Sequence, residues 1–216
     1  MTGERSGKLR PALEVVSLLR RRMDEVVRDY DDDDPHGVSR ISAPIDGTAF
    51  FPGGHGLWRG VEPHGALPNW FPENSVMFVG HNFDSLRAYE QSLKRGIESV
   101  EGTTWRKLRT YVALAGFALG DCFFTNALMG LQPNGALGAL KTTDRFRFEC
   151  REFLPEQIDT VRPRAVVALG PVADDELRHV RPSVPILALM HPYATIRSPG
   201  LAEAEGIRLR SFLAGV

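Results

Sequence analysis

Four short apolar runs punctuate the chain from residue 75 onward: "SVMFVG" at 75–80, "DCFFTN" at 121–126, "AVVALG" at 165–170 and "VPILALM" at 184–190. None alternates apolar with polar, so each is patterned for a strand covered on both faces, and the stretches between them carry helical spacing. Strands of that kind, joined by helical crossovers, predict an α/β domain: a three-layer α/β/α stack on a four-stranded parallel sheet. Upstream, Leu9, Leu13, Val16, Leu19, Met23, Val26 and Val27 recur at helical spacing with arginines on the other faces. They predict an amphipathic helix over 9–30. The pattern stops at the four aspartates of 31–34 and at Pro35, where charge repulsion and the proline break favour a solvated turn. Residues 41–74 are rich in Pro, Gly and aromatics, the composition of an ordered loop laid over a core.

With 216 residues, 43% of them hydrophobic, the chain is long enough for one sizeable core and short for two. Residues 1–216 are therefore read as a single domain, with 1–74 a helix-and-loop extension and 75–200 the core motifs. Lys and Arg number 26 against 27 Asp and Glu, a net charge of -1. Such a chain has no global attraction for nucleic acid, and any affinity for DNA must come from a local basic face. Cys122 and Cys150 are the only cysteines, and neither a signal-peptide core nor an apolar run of membrane length is present. A cytoplasmic monomer without membrane contact is expected. His55 and His81 suggest a metal, but no two ligand-type residues recur at ligand spacing, so neither a metal nor any other cofactor is expected.

In open parallel sheets ligands bind beyond the carboxyl ends of the strands. The residues that follow the four runs are "GHNFDS", "NALMG", "GPVAD" and "HPYATIRSPG". Three of these ends carry groups suited to one task. Asn82 can hold a water, Asn126 can pair with the edge of a base, and His191 can donate to an oxygen gaining negative charge. Each alone is more simply a turn, cap or structural residue.

Together they resemble the uracil-DNA glycosylase superfamily, over about Val76 to Arg197. Gly80-His81-Asn82 is similar to the family's first motif, and "FFTNALMGL" resembles its second strand, whose terminal Asn, here Asn126, reads the base. "CREFLPEQIDTVRPRAVVALG" is similar to a helix and strand of the iron–sulfur branch, and His191-Pro192-Tyr193 resembles the family's His-Pro loop. That branch ligates its cluster with four cysteines, so the two here exclude a cluster. Its Gly-Glu-Ala-Pro-Gly motif is also missing. Asn82 is instead similar to the Gly-x-Asn-Pro-Gly of the single-strand-selective and mismatch-specific branches, with Phe83 in place of their Pro. Asp84 follows where the most uracil-strict branch carries a tyrosine that excludes a C5 methyl group.

The resemblance implies a DNA glycosylase that flips a pyrimidine-type base out of DNA and hydrolyses its N-glycosidic bond. In that scheme Asn82 positions the water and His191 stabilises the base anion. Gly80, His81, Phe83, Asp84 and Asn126 form the base site, with Phe83 or Trp105 as the stacking aromatic. Ser85, Arg87 and Arg197, with Arg106 and Lys107, meet phosphates. The loop from Tyr193 to Pro199, tipped by Ile196 or Arg197, is the wedge that fills the vacated stack. Asp84 either caps the helix beginning near Ser85 or accepts hydrogen bonds from a polar C5 substituent of a modified pyrimidine. Known family members act in phage defence as well as repair, and both roles stand open. So does a catalytically silent nucleic-acid-binding module on the same fold. A hydrolase of free nucleotides is disfavoured, because neither phosphate-binding glycine motif occurs.

Overall fold

The structure is a computed structural model that describes residues 9–30, 37–62, 65–134, 140–197 and 200–216, with the side chains at 196 and 197 outside the description. The acidic run at 31–34 also lies outside the described residues.

All four apolar runs are strands: β1 Val76–Gly80, β2 Cys122–Asn126, β3 Ala165–Leu169 and β4 Ile186–Leu189. They form one parallel sheet in the order β2-β1-β3-β4. The absence of alternation is explained by burial of every residue of β1, β2 and β3. Successive side chains still point to opposite faces. Met77, Val79, Phe123, Val166 and Ala168 join the core on one face, with helices α1 (Ala12–Val26), α4 (Asp144–Val161) and α5 (Pro171–Val180) over them. Val76, Phe78, Cys122, Phe124, Ala165, Val167 and Leu169 join the other, under α3 (Thr103–Ala115) and α6 (Leu201–Leu213). The three-layer stack expected from the pattern is the one found.

Both ends of the N-terminal helix differ from expectation. The N-terminal helix spans Ala12–Val26 rather than 9–30, because Pro11 stands at its N-cap and the chain turns extended at Val27. That helix is no appendage: Leu19 and Met23 are buried and α1 packs on α4. Beyond the core motifs, Ala202, Leu209 and Leu213 of α6 are buried in the second core cluster.

Cys122 and Cys150 lie in the core clusters on opposite faces of the sheet. Burial pushes the Cys150 thiol up to about 12, and its sulfur accepts the Met129 N–H at 3.4 Å. The position similar to a cluster ligand is thus a thiol packed inside the core. No three His, Cys, Asp or Glu side chains come together in a metal-binding group among the described residues. Nor is any helix among them long and apolar enough to cross a membrane.

Candidate active site

The parallel register pairs Gly80, the last residue of β1, with Asn126, the last of β2. Asn126 is 2% exposed, and its Nδ2 donates to the Phe51 carbonyl at 3.0 Å. That bond fixes the amide and leaves one N–H and the carbonyl oxygen for a ligand. Close behind, Gln157 of α4 accepts from the Thr125 hydroxyl at 2.6 Å, bracing the end of β2 from the layer below. A Cβ on Gly80 would stand 2.6 Å from Asn126 Oδ1. Gly80→Ala should therefore displace the amide rather than merely stiffen the strand. We expect binding of a flipped base to weaken much more than the melting temperature falls, as a titration with a duplex carrying a non-cleavable base analogue would read.

Asn82 follows β1, and its Nδ2 donates to the Asp84 carbonyl at 3.0 Å, so the amide is held by its nitrogen and its own oxygen keeps its acceptor capacity. His191 follows β4 at the far side of the sheet. The loop carrying it folds back across the end of β3, where Gly170, at φ 93°, lets the His191 Cβ approach; a Cβ on Gly170 would stand 3.0 Å from it. His191 Nδ1 accepts the Tyr193 N–H at 3.2 Å, which leaves the proton of the neutral ring on Nε2. Burial lowers the pKa of His191 and so favours that neutral donor. His81 is lowered as well, by burial first and then by the charges of His191 and Arg147.

Gly80, His81, Asn82, Phe83, Asp84, Asn126, His191 and Tyr193 all line one cleft of about 520 Å³ at the carboxyl edge of the sheet. Asn126 and His191 come from the two outer strands, yet they meet there. Phe83 is a wall residue, its ring lying against Gly53 and edge-on to Tyr89. Trp105, the other aromatic considered, is instead fully buried core, packed edge-to-face with Phe50 and Phe124. Phe50 takes the wall position that was open to it. Sequence reasoning missed Phe50, Glu98 and Thr104, the remaining polar or aromatic residues of the lining.

The residues expected from the sequence to face DNA divide. Tyr193 is 64% exposed at the cleft, and Arg87 is exposed on the first turn of α2 (Leu86–Arg95). Ser85 is the N-cap of α2, its hydroxyl accepting the Ala88 N–H, so the cap role considered for Asp84 belongs to Ser85. Asp84 instead accepts the N–H of Ser85 at 2.7 Å and holds φ at 129°. A side chain is uncomfortable at such a φ, and strain of this kind recurs at functional sites. Arg106 lines a different cleft with Arg109 and Phe117. Lys107 does not line the base cleft. The side chains of Ile196 and Arg197 lie outside the described residues.

The family model of the uracil DNA glycosylase superfamily matches residues 64–209. This chain belongs to that superfamily. No curated protein matches it. The matched span contains all four strands and every candidate residue named from the sequence, from Gly80 to Arg197. Members of this superfamily act on DNA, and DNA glycosylase activity is what membership implies for a uracil-DNA-glycosylase-like chain in general.

Proposed function

We propose that this protein is an active DNA glycosylase that takes a flipped pyrimidine-type base, uracil or a C5-modified pyrimidine, into the cleft and hydrolyses its N-glycosidic bond. The observation that carries the reading is the convergence of Asn82, Asn126 and His191 on one cleft from three separate strands. In the reaction the bond between the sugar C1′ and the base nitrogen breaks, and its electron pair leaves with the base. Water adds its oxygen to C1′ and releases a proton. Asn82, whose amide oxygen keeps its acceptor capacity, is suited to accept a hydrogen bond from that water. His191 Nε2–H is suited to donate to the base carbonyl as negative charge gathers there. Asn126 holds the base edge, and Phe50 and Phe83 supply apolar faces.

Asp84 supports extending the substrate to a base with a polar C5 group. It lines the cleft, and beyond its bond to Ser85 its side chain makes no other hydrogen bond among the described residues. The cleft volume also lies within the roughly 300–1,000 Å³ of sites that take ligands larger than a bare pyrimidine. Asp84→Ala should depress cleavage of hydroxymethylated or glucosylated DNA far more than cleavage of uracil DNA. Equal rates of loss on the two substrates would remove the modified-base role. The general test is incubation with duplex and single-stranded DNA carrying uracil or modified pyrimidines, followed by alkali. Strand scission at abasic sites supports the enzyme, and binding without scission leaves the silent module.

A further inference from the structure

Glu98 stands out among the polar groups that line the cleft. It sits in the short segment between α2 and α3, held down by buried Ile97 and Val100 on either side and by its own N–H donating to the Thr48 carbonyl at 3.0 Å. Its side chain lines the cleft and accepts the Phe50 N–H at 3.2 Å through Oε2. No Lys, Arg or His forms an ion pair with it among the described residues. Burial pushes its pKa up to about 7, helped by the charge of Asp84, while the Trp105 indole, the Phe50 N–H and the charge of Arg95 pull the other way. A half-buried carboxyl in the lining of the cleft, with no ion pair among the described residues, is a group whose partner is expected to arrive with the ligand.

We propose that Glu98 is a specificity-determining residue, accepting a hydrogen bond from an N–H donor on the edge of the flipped base. The proposal rests on the glycosylase reading of the cleft. It selects, among pyrimidines, the cytosine type with an exocyclic amine over the uracil type with a carbonyl. An ionised carboxylate pairs with the cytosine amine, whereas a carbonyl in the same place is met only by the protonated form, so the preference is fullest above the pKa of Glu98. Asn126 accommodates this choice without making it, because its carbonyl oxygen is equally available to a protonated ring nitrogen. One of its N–H groups is committed to the Phe51 carbonyl, and the other is available to the unprotonated ring nitrogen beside the amine. With Asp84 accepting from a hydroxyl at C5, two carboxyls would divide the recognition of one modified base.

The test uses the full chain and four duplexes that differ at one base: uracil, 5-hydroxymethyluracil, cytosine and 5-hydroxymethylcytosine. Wild type should cleave 5-hydroxymethylcytosine faster than 5-hydroxymethyluracil under single-turnover conditions. Glu98→Gln keeps an oxygen for the Phe50 N–H but places an amide donor where the acceptor stood. It should lower that preference by roughly tenfold or more, or reverse it. A preference unchanged in E98Q, or an equal fall on both bases, overturns the proposal and leaves the glycosylase reading standing. The same pair of duplexes titrated against a chain with Asn82→Ala and His191→Ala reads the preference without bond cleavage. If wild type cleaves none of the four while binding still favours the amino-bearing base in a Glu98-dependent way, the glycosylase reading falls and the role of Glu98 survives. If binding shows no such dependence, Glu98 is only a tie to the Phe50 segment.

Discussion

Replacing His191 with alanine should lower single-turnover cleavage by roughly 10²–10³-fold, the loss that follows removal of one preorganised donor to a developing oxyanion. Asn82→Ala should cost a comparable factor, because a water left unpositioned must be oriented anew in each turnover. The two side chains serve one transition state, so the double variant should lose less than the product of the single losses. Both residues stand after strands rather than in the core, and the melting temperature should move little in either variant. A loss of activity that simply tracks a loss of folded protein would show instead that His191 and Asn82 are structural.

The opposite signature is expected at Glu176. This side chain is 1% exposed on α5 and takes hydrogen bonds from Arg147 and Arg151, both on α4. Removing one partner of a buried ion pair strands the other charge, at a cost of roughly 3–5 kcal/mol where burial is complete. Arg147 and Arg151 keep 36% and 28% of their side-chain surface, so solvent relieves part of that cost. Glu176→Ala should therefore destabilise by about 3 kcal/mol, a fall in melting temperature of roughly 6–12 °C for a chain of this size. Cleavage measured well below the transition should survive. Urea titration of the variant beside wild type reads the stability directly, and a midpoint shift equivalent to under 1 kcal/mol would mean that the arginines find other partners.

The sheet was legible in the sequence because β1, β2 and β3 are covered on both faces and so write themselves as unbroken apolar runs. The candidate residues at their ends were legible for a related reason: Gly80 and Asn126 end strands, Asn82 and His191 come soon after them, and the register of a parallel sheet carries such residues to one edge. What lies between elements was not. Phe50 belongs to a segment whose contacts obey no period, so nothing in "TAFFPGG" separates the ring that walls the cleft from Phe51, which packs on Phe123 and Phe153 in the core. Trp105 misled in the converse way: a large aromatic on an amphipathic helix reads the same whether it faces a ligand or lies beneath the residue that does. Glu98 left one faint signal, a carboxylate between Ile97 and Val100 where a turn between helices would ordinarily be polar throughout. Asp84 lines the cleft and is not the cap, since Ser85 offers the hydroxyl at the position where α2 begins.

The family match begins at residue 64, yet Phe50 walls the cleft, the Phe51 carbonyl fixes Asn126 and the Phe50 N–H holds Glu98. Under the proposed function, the groups assigned to bond breaking lie inside the matched span, while part of the wall facing the base lies before it. On that reading, substitution in the loop around Phe50 alters the shape of the cleft wall without touching Asn82 or His191.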